Sequence, residues 1–228
     1  MTSPMFSRPN PGFDRSYVAE AHERKTPSPS TASPRLSRKV HNDLTDTEKS
    51  GIPLNTPWTM WLDRSIPRTT ASEYEATLRK VYTCSTVESF WAVYNNIPEP
   101  CSLLIRYSYH LMRNETKPMW EDPVNKNGGV WKLKCHKWAT NKVWKTLLLA
   151  VIGEQFSDNV GKGDDIMGVS VSIRENEDLI QIWSYNWELE PAATVLDKLK
   201  ELLPDVTFPT VFYKPHQQHY AFEPRRHM

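Results

Sequence analysis

Trp120 and Glu121 stand side by side in Pro118-Met119-Trp120-Glu121-Asp122, and together they supply what is needed to hold a flat heterocyclic base. An indole face stacks on the ring, and a carboxylate accepts hydrogen bonds from its N–H edge. Aromatic surface is plentiful, with nine tryptophans among 228 residues. Other chemistries are poorly served. No nucleophile stands with a base, no phosphate-cradling glycine loop occurs, and Cys84, Cys101 and Cys135 are too scattered for a zinc site. The residues point to ligand binding without turnover, with no metal and no cofactor, and with three reduced thiols.

The 28 basic and 27 acidic residues nearly cancel, which argues against a broad electrostatic footprint for nucleic acid. Any nucleotide is therefore held locally. The longest apolar run, 147–152, is far too short to span a bilayer, and the opening Met1-Thr2-Ser3-Pro4 has no secretory character. A soluble protein with no membrane partner is expected, in the cytoplasm with the nucleus as a second compartment. Residues 1–50 carry prolines at 4, 9, 11, 27, 29 and 34 and almost no apolar period, so they read as a disordered tail. Thr26-Pro27, Ser28-Pro29 and Ser33-Pro34, flanked by basic residues, are candidate acceptors of proline-directed phosphorylation.

The elements that must position Trp120 and Glu121 emerge in 51–228, which reads as one domain. Val169, Val171 and Ile173 alternate with Ser170, Ser172 and Arg174, a half-buried strand whose polar side suits a concave surface. Similar strands are predicted at 58–62, 78–84, 103–112, 130–135, 179–185 and 207–213, with turn residues such as Asn127-Gly128-Gly129 between them. Helical spacing appears at 87–97, 144–152 and 192–203. Short links between strands favour an antiparallel sheet with helices on one face, an α+β fold. For Trp58, Trp61, Trp131 and Trp144 a core role is expected.

Several blocks, in order, resemble the eukaryotic translation initiation factor 4E family, which binds the methylated guanosine cap of messenger RNA. They are Pro57-Trp58-Thr59-Met60-Trp61, Thr86-Val87-Glu88-Ser89-Phe90-Trp91-Ala92-Val93-Tyr94-Asn95-Asn96-Ile97, Met119-Trp120-Glu121-Asp122, Gly128-Gly129-Val130-Trp131 and Ile152-Gly153-Glu154. The resemblance covers roughly residues 52–216. Trp61-Leu62-Asp63-Arg64-Ser65, Tyr109-His110-Leu111-Met112-Arg113 and Val211-Phe212-Tyr213-Lys214-Pro215-His216 are most similar to the class 3 paralogue. The resemblance implies a curved antiparallel sheet of about eight strands with three helices packed on its convex face.

It also implies roles for particular residues. N7-methylation gives guanine a positive charge, and an aromatic sandwich then gains a cation–π contribution of about 0.5–2 kcal/mol per ring. Trp120 matches one stacking residue and Glu121 the acid that reads guanine N1–H and N2–H. Ungapped alignment puts the second stacking position on Tyr74, in the polar stretch 69–77, where tyrosine offers a smaller face than indole. Arg174 matches a phosphate-binding arginine and Trp183 the tryptophan that touches the N7-methyl group. Asn176 and Leu179 stand where other basic residues are usual, so phosphate recognition looks thin. His216, His219, Arg225 and Arg226 are candidates to compensate. On the convex face Pro53, Val87, Trp91, Leu149 and Gly153 match partner-binding positions. Initiation scaffold protein 4G and 4E-binding proteins are the implied partners beside capped mRNA. Lys145 and Thr146 replace an apolar residue and an acid there, which puts partner choice in doubt. The alternative is a scaffold or translational repressor of the same fold with weak or no cap binding.

Overall fold

The computed structural model describes residues 35–218, and the expected tail phosphorylation sites, His219, Arg225 and Arg226 lie outside them. Seven strands form one antiparallel sheet among the described residues: β1 (Pro53–Arg64), β2 (Arg79–Thr86), β3 (Tyr107–Arg113), β4 (Gly129–Cys135), β5 (Ile166–Ser172), β6 (Asp178–Ser184) and β7 (Val211–Pro215). Their spatial order is β2-β1-β3-β5-β6-β4-β7, every neighbouring pair antiparallel. The sheet is curved, and the polar/apolar alternation expected at 169–174 holds across it.

Register turns that alternation into two faces. One row across the sheet reads Trp61, His110, Ser170, Gln181, Lys132. Its neighbour reads Leu62, Tyr109, Val171, Ile180, Leu133. Side chains alternate faces with period two, so the first row lines the polar concave side and the second the convex core. The core row packs with Phe90, Val93, Trp144, Leu147, Leu148, Val195 and Leu199 from the helices. These belong to α3 (Val87–Tyr94), α4 (Thr140–Ile152) and α5 (Val195–Leu202), the helical segments expected from sequence with shifted ends. Trp58, Trp61, Trp131 and Trp144 are all buried, as their core role requires.

Two helices were not expected. The disordered reading of residues 1–50 is corrected for its last part: Arg38–Ser50 forms α1, capped by Ser37. Leu36, Val40 and Leu44 recur every fourth residue, and Leu44 is fully buried in the core cluster. α1 packs against β2 and α3, and its Glu48 carboxylate accepts hydrogen bonds from the Ser85 backbone N–H at 3.1 and 3.2 Å. The polar stretch before β2 is likewise no simple loop. Ala71–Thr77 forms α2, and Thr70 and Glu73 make a reciprocal capping box.

Ends of elements moved for local reasons. β3 begins at Tyr107, not 103, because Pro100–Ser102 forms a 3-10 turn and Arg106 takes φ 74° to reverse the chain. β7 begins late because Pro209 has no N–H to offer the ladder. Gly129 is required by close approach: an added Cβ would stand 2.1 Å from the Tyr213 hydroxyl oxygen.

Candidate functional site

A cavity of about 350 Å³ opens on the concave side, lined by Asp63, Tyr74, His110, Trp120, Glu121, Lys132, Arg174, Gln181, Trp183 and Lys214 among others. All five concave residues singled out from sequence, Tyr74, Trp120, Glu121, Arg174 and Trp183, line this one cavity.

Trp120 and Glu121 sit on the connection between β3 and β4, whose shape is set by two side chains. Asp122 accepts from the backbone N–H groups of Lys117 (3.2 Å) and Val124 (2.9 Å). Asn125, fully buried, donates to the carbonyls of Lys117 and Met119, both at 2.8 Å. The loop is thus rigidly stitched just around Trp120-Glu121, leaving both half-buried at the cavity wall. Burial raises the Glu121 carboxyl above its ordinary pKa, with a backbone hydrogen bond opposing. A carboxylate that has already lost part of its water gains more from a charge-assisted partner.

Tyr74 reaches the cavity from α2, near enough to Asp63 for that carboxylate's charge to act on its hydroxyl. Burial first, then the charge of Asp63, hold this phenol firmly protonated, so Tyr74 donates. Asp63 is 3% exposed. Burial alone would raise its carboxyl, but contact and charge from His110, with contacts from Tyr74 and Ser108, bring it below the usual value. His110 Nε2 approaches Asp63 Oδ1 at 3.5 Å, too loose for a well-formed hydrogen bond, and neither atom has another partner. On its other side His110 Nδ1 lies 2.7 Å from Ser170 Oγ, which accepts from Trp183 Nε1 at 2.9 Å. Under the cavity floor a hydrogen-bonded run therefore joins His110, Ser170 and Trp183, with Asp63 beside its end.

One side of the cavity is basic. Arg174 follows β5, its backbone N–H donating to Asp178 Oδ1 at 2.9 Å. Lys132 lies close enough to Lys214 and Arg174 that burial first, and then their charges, lower its ammonium pKa. Asn176 is exposed and Leu179 half-buried, so neither restores a charge. His216 lines the cavity but is buried, with Nδ1 2.8 Å from the Asn125 carbonyl and its ring edge on Trp183. Asp63, His110, Lys132 and Lys214 were missed from sequence as site residues. Each is a polar residue on a strand, and only the register shows which face it joins.

On the convex side Val87, Trp91 and Leu149 are half-buried while Pro53 and Gly153 are exposed, so this surface is open in part. Lys145 places Nζ 5.8 Å from the Trp91 ring centroid. A separate ionic knot has one buried member, Arg113, and two partly exposed carboxylates. Arg113 donates to Glu154 Oε1 (2.8 Å) and Oε2 (2.9 Å), to Asp165 Oδ1 (3.0 Å) and to Thr56 Oγ1 (2.7 Å), and stacks 4.6 Å from the Trp58 ring.

Fold and pocket define a class: a cupped antiparallel sheet with helices on its back and an aromatic, acid-bearing binding cleft in its palm. The chain belongs to the eukaryotic initiation factor 4E family, whose model matches residues 53–227. It is 38% identical over 149 residues to eukaryotic translation initiation factor 4E-1 of Hordeum vulgare subsp. vulgare, covering 65% of this chain and 67% of that protein. It is 39% identical over 152 residues to the Zea mays protein of the same name, covering 66% and 68%. Two solved structures are similar. One is the complex of C. elegans eIF4E-3 with the 4E-binding protein Mextli and cap analog, with TM-score 0.64, 29% identity and coverage of 76% of this chain and 97% of that one. The other is the complex of Ascaris suum eIF4E-3 with m2,2,7G cap, with TM-score 0.63, 30% identity and coverage of 77% and 97%. Class 3 character in the sequence is consistent with both.

Proposed function

We propose that the chain binds the N7-methylguanosine cap of mRNA in the concave cavity and acts in translation initiation or its regulation. The observation that carries this is the convergence of Trp120, Tyr74, Glu121 and the Arg174 cluster on one cavity of nucleotide size. Trp120 and Tyr74 stack on the cationic base, Glu121 accepts from its N1–H and N2–H, and Trp183 faces the methyl group. Glu121 selects guanine because adenine presents no donor pair on that edge. Cap complexes of the two eIF4E-3 relatives support cap binding as the function.

The decisive titration is tryptophan fluorescence quenching by N7-methyl-GTP and by GTP. Trp120→Ala is expected to weaken binding of the methylated nucleotide by about 1–3 kcal/mol, roughly 5- to 150-fold. Equal responses to the two nucleotides in the wild type would remove the cap assignment.

We infer a broader phosphate seat than the motif pattern implies. Lys132 and Lys214 stand beside Arg174, and three cations gathered at one wall favour a polyanion. Lys132→Ala is expected to weaken N7-methyl-GTP by roughly three- to tenfold while leaving N7-methylguanosine nearly unchanged, with a shallower salt dependence. Parallel titrations with both ligands at low and high salt check this; equal losses would take Lys132 off the phosphate path.

For the convex face we infer docking of a helical segment from a 4E-binding protein or scaffold protein 4G across Trp91 and Leu149. Half-exposed apolar side chains there support it, as does the Mextli complex of the C. elegans relative. Lys145 over Trp91 favours a partner that brings an acid to that edge. A scaffold or repressor with little cap affinity remains the competing function, and the same fluorescence titration separates the two.

A further inference from the structure

Phe212 is an unexpected side chain on the border strand β7. Its ring is 49% exposed, whereas Tyr213 beside it anchors the strand, with its ring 4.9 Å from that of Trp131 and its hydroxyl 2.8 Å from Ser184 Oγ. Register puts Phe212 opposite Lys132 and two residues from Lys214, and both lysines line the cavity. Partners in an antiparallel pair point to the same face, so the exposed ring stands on the concave side, at the outer end of the row Gln181, Lys132, Phe212. We propose that Phe212 is the stacking platform for the base of the nucleotide that follows the cap, so that the cleft holds two nucleosides of capped RNA with the bridging phosphates between them on Lys132 and Lys214. The inference rests on the cap assignment above and extends it beyond the cavity.

The spacing suits such a ligand. Trp183, Val130 and Lys214 are register partners on β6, β4 and β7. Strands lie about 4.8 Å apart, so Lys214 stands roughly 10 Å from Trp183 across the sheet, with Phe212 about 7 Å further along β7. Trp183 borders the seat of the first base, the lysines come next and the ring comes last. Base, phosphates, base is the order in which a dinucleotide cap presents its parts. An aromatic ring flanked by cations is what a single strand of nucleic acid requires, because the cations hold the backbone and the ring takes a base of any kind on its π-face. Charge selects this occupant over others. Lys132, Lys214 and Arg174 on the cavity wall favour a polyanion, and an apolar peptide laid across Phe212 would gain nothing from them. Border strands are ordinarily protected by charge, so a bulky ring at this place calls for a use.

The test uses the full chain with N7-methyl-GTP and the dinucleotide N7-methyl-GpppA as probes, in the wild type, Phe212→Ala and Phe212→Trp. Phe212→Ala is expected to weaken the dinucleotide by about three- to tenfold and to leave N7-methyl-GTP within about twofold, since only the dinucleotide brings a second base to stack. Phe212→Trp keeps a face and should retain dinucleotide affinity, and its added indole should be quenched further by the dinucleotide than by N7-methyl-GTP. The ring is half-exposed on a border strand, so its removal leaves the core intact. Equal losses for the two ligands, or no loss for the dinucleotide, overturn the proposal. So does sedimentation that shifts from dimer to monomer in Phe212→Ala with the ratio of the two affinities unchanged, which would make this face a contact between copies of the chain. A wild type that does not distinguish N7-methyl-GTP from GTP removes the cap assignment itself. One that distinguishes them, with Phe212→Ala unchanged on the dinucleotide, removes only the second seat.

Discussion

Glu121→Ala is expected to cost about 2–4 kcal/mol of N7-methyl-GTP binding, on the order of 30- to 1,000-fold. On the proposed assignment two hydrogen bonds to a charged acceptor would be lost at once, leaving the guanine N1–H and N2–H facing a partly dry wall. Base choice should fail with affinity. Titration with N7-methylated guanine and adenine nucleotides is expected to show strong preference in the wild type and little in the variant. A retained preference would mean that another group reads the edge. Acidity gives a second handle. On the proposed assignment the ligand needs the ionised carboxylate, and burial raises the Glu121 carboxyl. Affinity should therefore start to fall on acidification at a higher pH than an ordinary glutamate would allow. The sign for folding is opposite. A raised folded-state pKa contributes stability that is present below the unfolded value and lost as pH rises through the folded one. Glu121→Gln is thus expected to raise the unfolding midpoint slightly at neutral pH while weakening guanine reading.

Arg113→Ala should lower stability by about 2–4 kcal/mol, because a buried guanidinium and its hydrogen bonds are lost and the half-buried Glu154 is left without its cation. Arg113 ties together Thr56 of β1, Glu154 after α4 and Asp165 before β5, and covers the Trp58 ring. In a chain of this size the loss corresponds to a fall in unfolding temperature of roughly 4–16 °C, readable by calorimetry. A fall of only a degree or two would show that solvent already satisfies Glu154 and Asp165. Cap affinity measured well below the new midpoint should change little, since Arg113 is not among the residues that line the concave cavity.

Much of this architecture could be read from residues alone. The serine and valine alternation at 169–172 announces a two-faced strand, and in the structure Ser170 and Ser172 face the polar cavity side while Val169 and Val171 enter the core. Trp120-Glu121 was conspicuous because an indole and an acid side by side suit a base. Asp63, Lys132 and Lys214 were not, because nothing in a lone polar strand residue says which cavity it meets. They come together only through the order β1-β3-β5-β6-β4-β7, a long-range property. α2 had a local signature that went unused, since Thr70 and Glu73 have the spacing of a capping box. α1 was hidden differently. Its apolar residues do follow a helical spacing, but Leu36, Val40 and Leu44 are outnumbered by charges, and composition outweighed period. The long Gly129 approach to Tyr213 could not be foreseen either, because the two residues lie far apart in the chain.

The placement of Glu48 against Ser85 bears on how copies of the molecule meet. A border strand normally offers its outward amides to any extended chain, and that is how sheets fuse into fibres. On β2 one such amide is already taken by the Glu48 carboxylate, and α1 lies alongside. Among the described residues the opposite border, β7, carries exposed Val211 and Phe212. The β2 border is thus partly shielded against strand-on-strand contact, and a helix is what shields it.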